Sequence, residues 1–201
     1  FVRDTALAIS GLLVPQIGGP SVKPYRPPGY WAALNFPPRE WIKDSGDKQY
    51  RRGLYTHWRR TFPHPAMVAF DAPSREECTC ERPRSNIPQQ ALVLLNDPEF
   101  VEAARAFAQK ALAESGPDDS QRLRWMFRRA TSREPQEPEV HILRELLQKH
   151  RQHYQAQPEE ARRLLSVGDH PAPQTIPPAE VAAWTSVARA LLNLHETITR
   201  P

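Results

Sequence analysis

Cysteine is scarce in this sequence: Cys78 and Cys80 are the only two among 201 residues. Two cysteines are too few for the disulfide framework that holds small secreted domains together. A bond between these two would also be strained, because bridged cysteines need a particular separation and orientation. The cysteine content therefore excludes a disulfide-rich fold and leaves the cellular compartment open.

Long apolar runs and a strong excess of one charge are also missing. No stretch of 18 apolar residues occurs, so we expect no membrane-spanning segment. The chain has 27 basic and 23 acidic residues, which gives a net charge of +4. Its one local basic cluster, from Tyr50 to Arg60, carries no recognisable motif for reading nucleic acid. We therefore expect no nucleic-acid binding.

Glycine is low at 8 residues, whereas proline is abundant at 22, roughly twice its usual share. The prolines are therefore expected to mark the ends of folded segments and to stiffen long connections. Asp97, Pro98 and Glu99 show how a helix begins here: a carboxylate cap, a proline at the first position and an acid favoured by the helix dipole. Comparable starts recur near residues 118, 138, 158 and 177, each followed by an apolar stripe of helical period.

These signals predict a mainly α fold, an irregular helical bundle with long proline-rich loops and little or no β-structure. We expect one domain over residues 1–201. Its first region, 1–46, holds a helix and a proline- and aromatic-rich loop; an arginine- and aromatic-rich segment covers 47–97, and the helical bundle covers 98–201. The helix at residue 1 lacks a capping residue, which favours a fragment of a larger multidomain protein.

The segment 47–97 has the most unusual composition. Tyr50, Leu54 and Trp58 recur at helical spacing and predict a helix over 50–60. Residues 67–70 are apolar but flanked by prolines, so we expect an extended segment there. A short helix is expected over 87–96.

Two roles are open for the polar residues of this segment. In the structural interpretation, the carboxylates of Asp71, Glu76 and Asp97 pair with arginines and fasten the loop; the expected partners are Arg75, Arg84 and Arg52. In the binding interpretation, the arginines form a site for an anion or a glycan, and Trp58 or Tyr55 provides a stacking surface.

Chemistry at the cysteines is a weaker alternative. Cys78 and Cys80 with His57 or His64 could bind zinc, but the Cys-x-Cys spacing is unusual and a second pair is missing. Cys78 could act as a nucleophile only if one of these histidines lowered its pKa. We therefore expect no metal site.

Three strings in this segment carry a family resemblance: YRRGLYT at 50–56, FDAPSREEC at 70–78 and RSNIPQQALVLLND at 84–97. They resemble the planctomycete surface domain, domain-of-unknown-function family 1553. The sequence departs from the family pattern at Gly53, where serine is common, and at Ser85 and Ile87, where threonines are common. Cys80 and His195 also differ from the usual residues.

The resemblance implies an exported protein, located in the periplasm or at the cell surface. Proteins of this family often carry a c-type cytochrome-like domain upstream, so haem c is expected there and no cofactor in this domain. The expected partners are the upstream domains of the parent protein and an anionic or glycan ligand. The family brings no established activity.

We therefore expect an interaction or scaffolding domain. The candidate binding residues are Arg52, Tyr55, Trp58, Asp71, Arg75, Arg84, Asn86 and Gln90. The alternative is a catalytic domain acting on polysaccharide, with Asp71 and either Glu76 or Asp97 as its acids, since glycoside cleavage uses two carboxyl groups with distinct pKa values.

Overall fold

A computed structural model describes residues 1–27, 29–30, 40–81, 83–173 and 175–199. Part of the predicted proline- and aromatic-rich loop, residues 31–39, lies outside the described residues. The described helices are α1 Val2–Ser10, α2 Pro65–Ala69, α3 Pro88–Asn96, α4 Pro98–Glu114, α5 Asp119–Thr131, α6 Glu137–Ala156, α7 Pro158–Leu165, α8 Pro178–Leu192 and α9 His195–Ile198. Two short 3-10 helices cover Gly46–Tyr50 and Gly53–Tyr55.

Strand pairing in the described ranges is limited to two isolated bridges, Val14 with Arg51 and Val22 with Thr56. The mainly α class predicted from the sequence is confirmed. None of the helices in the described part of the chain combines the length and the apolar character that crossing a membrane would require.

The chain divides into two compact units. The central unit is Leu13–Val93, and the helical unit joins Phe1–Leu12 to Leu94–Pro201. The first helix thus belongs with the C-terminal helices, because α1 contacts α4. The single-domain organisation expected from the sequence stays a prediction.

The core of the helical unit lies where α8 contacts α4, α6 and α7. Trp184, Val187 and Leu191 of α8 are fully buried, as are Phe107 and several alanines of α4. The small alanine side chains let the backbones of α4 and α8 approach closely. The large buried side chains then fill the space that remains between the helices. The helix starts predicted from the caps are confirmed: Asp97 and Asp118 accept hydrogen bonds from backbone N–H groups of α4 and α5.

A buried ion pair lies beside this core. Glu102 and Arg105 of α4 are both almost completely excluded from solvent. Arg105 donates to the carbonyls of Leu165 and His170, and Glu102 accepts from the backbone N–H of His170. Gly168 lies so close to Glu102 that a Cβ there would overlap its side chain. The pair therefore fixes the chain that leaves α7.

Two local predictions in the central unit are wrong. Residues 50–60 do not form one helix: they hold parts of two 3-10 helices and two bridges, and Leu54 is 72% exposed. Residues 67–70 are not extended, because residues 65–69 form α2. Pro65 stands in the first turn of this helix, where a backbone N–H has no partner within the helix, so a proline is tolerated there. The short helix expected over 87–96 is confirmed as α3.

Candidate functional site

Arg51 organises the first loop of the central unit. Its side chain is only 3% exposed. It donates to the carbonyls of Pro20 at 3.0 Å and Gln16 at 3.2 Å, and also to that of Gly18. Its guanidinium lies 4.0 Å from the ring centroid of Tyr55, whose hydroxyl accepts from the N–H of Gly18 at 2.9 Å. Tyr55, a predicted binding residue, thus packs against this loop.

Trp58 and Arg75, both predicted binding residues, form a stacked pair. The guanidinium carbon of Arg75 lies 4.5 Å from the centroid of the Trp58 ring. The indole N–H of Trp58 donates to the carbonyl of Ser74 at 3.1 Å, which holds the loop against the ring. Arg75 has a left-handed φ of 65°, a conformation that L residues rarely adopt without a constraint from their surroundings. The loop is therefore bent so that Arg75 lies over Trp58.

Arg75 combines this placement with exposure to solvent. It forms no ion pair with any residue in the described ranges, whereas most charged networks of the helical unit pair an arginine with a carboxylate. Its N–H donors therefore have no carboxylate partner within the described part of the chain.

Asp71 and Gln90 meet at Ser85. The Asp71 carboxylate accepts from the backbone N–H and from the hydroxyl of Ser85, both at 2.8 Å. The side-chain amide of Gln90 donates to the Ser85 carbonyl at 3.2 Å, and Gln90 is 8% exposed. These three residues, which we call the Ser85 latch, close the loop that carries Arg75.

The ion pairs expected from the sequence are not formed within the described ranges. Asp71 binds the neutral donors of Ser85 instead of an arginine. The backbone N–H of Glu76 donates to the Ser74 hydroxyl at 3.3 Å. Asp97 belongs to the helical unit and caps α4. The alternative role of these carboxylates as catalytic acids stays a prediction.

The remaining predicted binding residues, Arg52, Arg84 and Asn86, have exposed side chains. Arg52 precedes the second 3-10 helix. Arg84 and Asn86 flank Ser85 in sequence, so the latch holds their backbone while their side chains face water.

A second cluster of aromatic and basic residues was not predicted from the sequence. Its centre is Trp41, whose indole N–H donates to the Pro24 carbonyl at 3.0 Å. The Arg26 guanidinium lies 4.1 Å from the Trp41 centroid, the Lys23 ammonium 5.9 Å and the His57 ring 6.0 Å. The cluster joins three separated stretches of sequence, so no local sequence motif predicts it.

The charged side chains around His57 are positive. Burial lowers the pKa of His57, and the positive charges of Lys23, Arg26 and Arg59 lower it further. Burial also lowers the pKa of Arg26, whose guanidinium donates to the Phe62 carbonyl at 3.1 Å.

His64 is buried, whereas the two cysteines are exposed. His64 is 2% exposed, and its Nε2 atom lies 2.6 Å from the Tyr25 carbonyl oxygen. Cys78 and Cys80 are exposed free thiols. Among the residues that the structure describes, no three His, Cys, Asp or Glu side chains group as metal ligands do.

Basic residues are concentrated in the central unit. Residues 13–93 contain twelve lysines and arginines against seven acids, whereas the rest of the chain contains fifteen against sixteen. The whole-chain charge of +4 is therefore divided unevenly: the central unit is basic and the helical unit is nearly neutral.

Comparison with known proteins adds a family. The model of PSD1, described as protein of unknown function (DUF1553), matches residues 1–147. No curated protein and no solved structure matches the chain significantly.

Proposed function

The chain belongs to the PSD1 family of proteins of unknown function (DUF1553), and on that premise we propose that it is an interaction domain whose central unit binds an anionic glycan. One observation carries the proposal: an exposed arginine without a carboxylate partner in the described ranges is stacked on a tryptophan.

The chemistry of the pair suits such a ligand. A planar guanidinium donates two parallel hydrogen bonds to a carboxylate or sulfate. An indole offers an apolar surface on which a sugar ring packs. Because Arg75 is held over Trp58, it loses less conformational freedom on binding than a free arginine would.

The Ser85 latch supports this preorganisation. Asp71 and Gln90 hold the loop through Ser85, so we assign them a positioning role and no direct contact with the ligand. Arg84 and Asn86 would then widen the contact surface, since they are exposed beside the latch.

The test is calorimetric titration of the full chain with sulfated, uronate-containing and neutral oligosaccharides. We expect the acidic oligosaccharides to bind, and Trp58→Ala and Arg75→Ala each to weaken them by about tenfold, which corresponds to about 1.4 kcal/mol. Arg60→Ala is the matched control, since it removes one exposed arginine of the same unit. Equal binding of neutral and acidic oligosaccharides, or equal losses in all three variants, would overturn the proposal.

The proposed location is outside the cytoplasm, in the periplasm or at the cell surface, beside the upstream domains of the parent protein and a c-type cytochrome-like domain among them. Family membership supports this location. Fractionation of the native cells with an antibody against this chain tests it, with haem staining of the same band; a cytoplasmic band would contradict it.

A further inference from the structure

The Trp41 cluster, which we define as Lys23, Arg26, Trp41, His57 and Arg59, shares no residue with the stacked pair of Trp58 and Arg75. All five residues are half-buried, although the Nε and Nη1 atoms of Arg26 are closed to solvent. The proposed function does not use them.

The backbone explains why these residues meet. The N–H of Val22 donates to the Tyr55 carbonyl at 2.8 Å, and the N–H of His57 donates to the Val22 carbonyl at 2.7 Å. This pairing sets the segment that follows Val22 beside the segment that contains His57. The indole of Trp41 is then fixed over both by its bond to Pro24.

The cluster brings like charges together. Every charged side chain that shifts the titration of His57 is positive, namely Lys23, Arg26 and Arg59. The carboxylate of Asp44 accepts from the backbone N–H of Lys23 at 2.6 Å, and it is not among the charges that shift the pKa of His57. Like charges in a half-buried region repel each other more strongly than in bulk water, and a bound anion would offset that repulsion.

The kind of anion follows from the arrangement. Lys23 offers a compact point charge and His57 a further donor once it is protonated, while Arg26 contributes its positive charge. These groups come from separate segments around one ring. A tetrahedral oxyanion has more acceptor oxygens than a carboxylate and can accept from several of them at once.

We propose that the Trp41 cluster is a second binding site of the central unit, for a sulfate or phosphate group. The site itself does not depend on the proposed function. Only the source of the sulfate or phosphate group rests on it: an anionic glycan would carry the group as an ester, whereas a free ion would bind without a sugar. Lys23 and Arg26 supply most of the attraction, and His57 reports on occupancy.

The experiment follows the imidazole signals of His57 by NMR in the full chain, titrated with pH in sodium sulfate and in sodium chloride at equal ionic strength. We expect sulfate to raise the pKa of His57 above its value in chloride, because the anion offsets the surrounding positive charges. Lys23→Gln and Arg26→Gln should each reduce this rise, and Lys48→Gln, an exposed charge-matched control of the same unit, should leave it unchanged. If Arg26→Gln fails to fold, Lys23→Gln alone carries the test.

A sulfated oligosaccharide then separates the two sources. If the oligosaccharide raises the pKa of His57 at a lower concentration of sulfate groups than sodium sulfate does, the site binds a sulfate ester on a sugar. A rise at equal concentration supports the site and overturns its glycan source. Identical His57 titrations in sulfate and chloride overturn the site itself. Trp58→Ala and Arg75→Ala should leave the response to inorganic sulfate intact, so a failure of the proposed function remains distinguishable from a failure of this site.

Discussion

The carboxylate of Asp97 accepts a hydrogen bond from the backbone N–H of Glu99 at 3.0 Å, and the side chain of Glu99 is itself buried. Glu99 pairs with the buried guanidinium of Arg3 at 2.5 Å. Burial raises the pKa of Asp97 to about 7, and the negative charge of Glu99 adds to the shift, although the cap and Arg3 oppose it. A helix cap is therefore built from a carboxyl group that resists ionisation.

Asp97→Asn is expected to change the dependence of stability on pH. The pKa of Asp97 is about 7 in the folded chain against an ordinary 3.8, so the folded state binds its proton more tightly than the unfolded state. The stability that this proton contributes is complete below about pH 4 and is lost as the pH rises through 7. Asparagine keeps the cap without a charge, so the variant should gain about 1–2 kcal/mol over the parent at pH 8, or a few degrees in Tm.

The measurement is thermal unfolding by circular dichroism at pH 4.5 and pH 8. Asp118→Asn is the matched control, because Asp118 caps α5 with an exposed side chain. A similar gain at pH 8 in both variants would show that burial of Asp97 is not the cause.

Asp71→Ala is expected to open the loop that carries Arg75. The variant removes the acceptor of two hydrogen bonds from Ser85, and it places alanine at a φ of 58°, which aspartate and asparagine tolerate better. We expect a loss of about 1–2 kcal/mol and faster tryptic cleavage after Arg75 and Arg84. Ser85→Thr keeps the hydroxyl and is the control; an unchanged cleavage rate in Asp71→Ala would contradict the latch.

Arg51→Lys is expected to destabilise the chain by about 2–4 kcal/mol, although it keeps the positive charge. Lysine cannot reach the carbonyls of Gln16, Gly18 and Pro20 together in the geometry of a guanidinium. It also loses the flat contact with Tyr55. Urea denaturation measures the loss, with the exposed Arg60→Lys as control; equal midpoints would show that charge alone matters at residue 51.

Gly168→Ala is expected to cost more stability than a glycine substitution at a comparable φ. At Gly168 the φ is 85° and a Cβ would overlap Glu102, whereas at Gly46 the φ is 62° and nothing lies within 4 Å of a Cβ. Gly46→Ala therefore shows the backbone strain alone, about 1 kcal/mol. The difference between the Tm values of the two variants measures the overlap with the buried pair of Glu102 and Arg105.

The helical unit was largely readable from the sequence. Caps such as Asp97 and Asp118 act on N–H groups two or three residues away, and the buried face of α8 follows from its period. Such local rules need no knowledge of the rest of the chain. The sequence did not indicate that α1 would join this unit, since that contact depends on residues a hundred positions away.

The central unit was much less predictable, because its organising contacts join distant residues. Arg51 lies in the stretch predicted as a helix over 50–60, yet its side chain is held by carbonyls of residues 16–20. Trp41 and His57 meet beside the backbone pairing at Val22, far from each other in the sequence. Trp58 and Arg75 were each named as candidate binding residues, but the sequence did not pair them, and the left-handed φ of Arg75 has no sequence signal.

The uneven division of basic residues between the two units also concerns the speed of encounter. Long-range attraction steers an oppositely charged partner toward the region of matching potential before any contact forms. A polyanion approaching this chain is therefore drawn first to residues 13–93, where the excess of basic residues resides. Its association rate should fall steeply as salt shortens the range of the field, while its dissociation rate, set by short-range contacts, changes little.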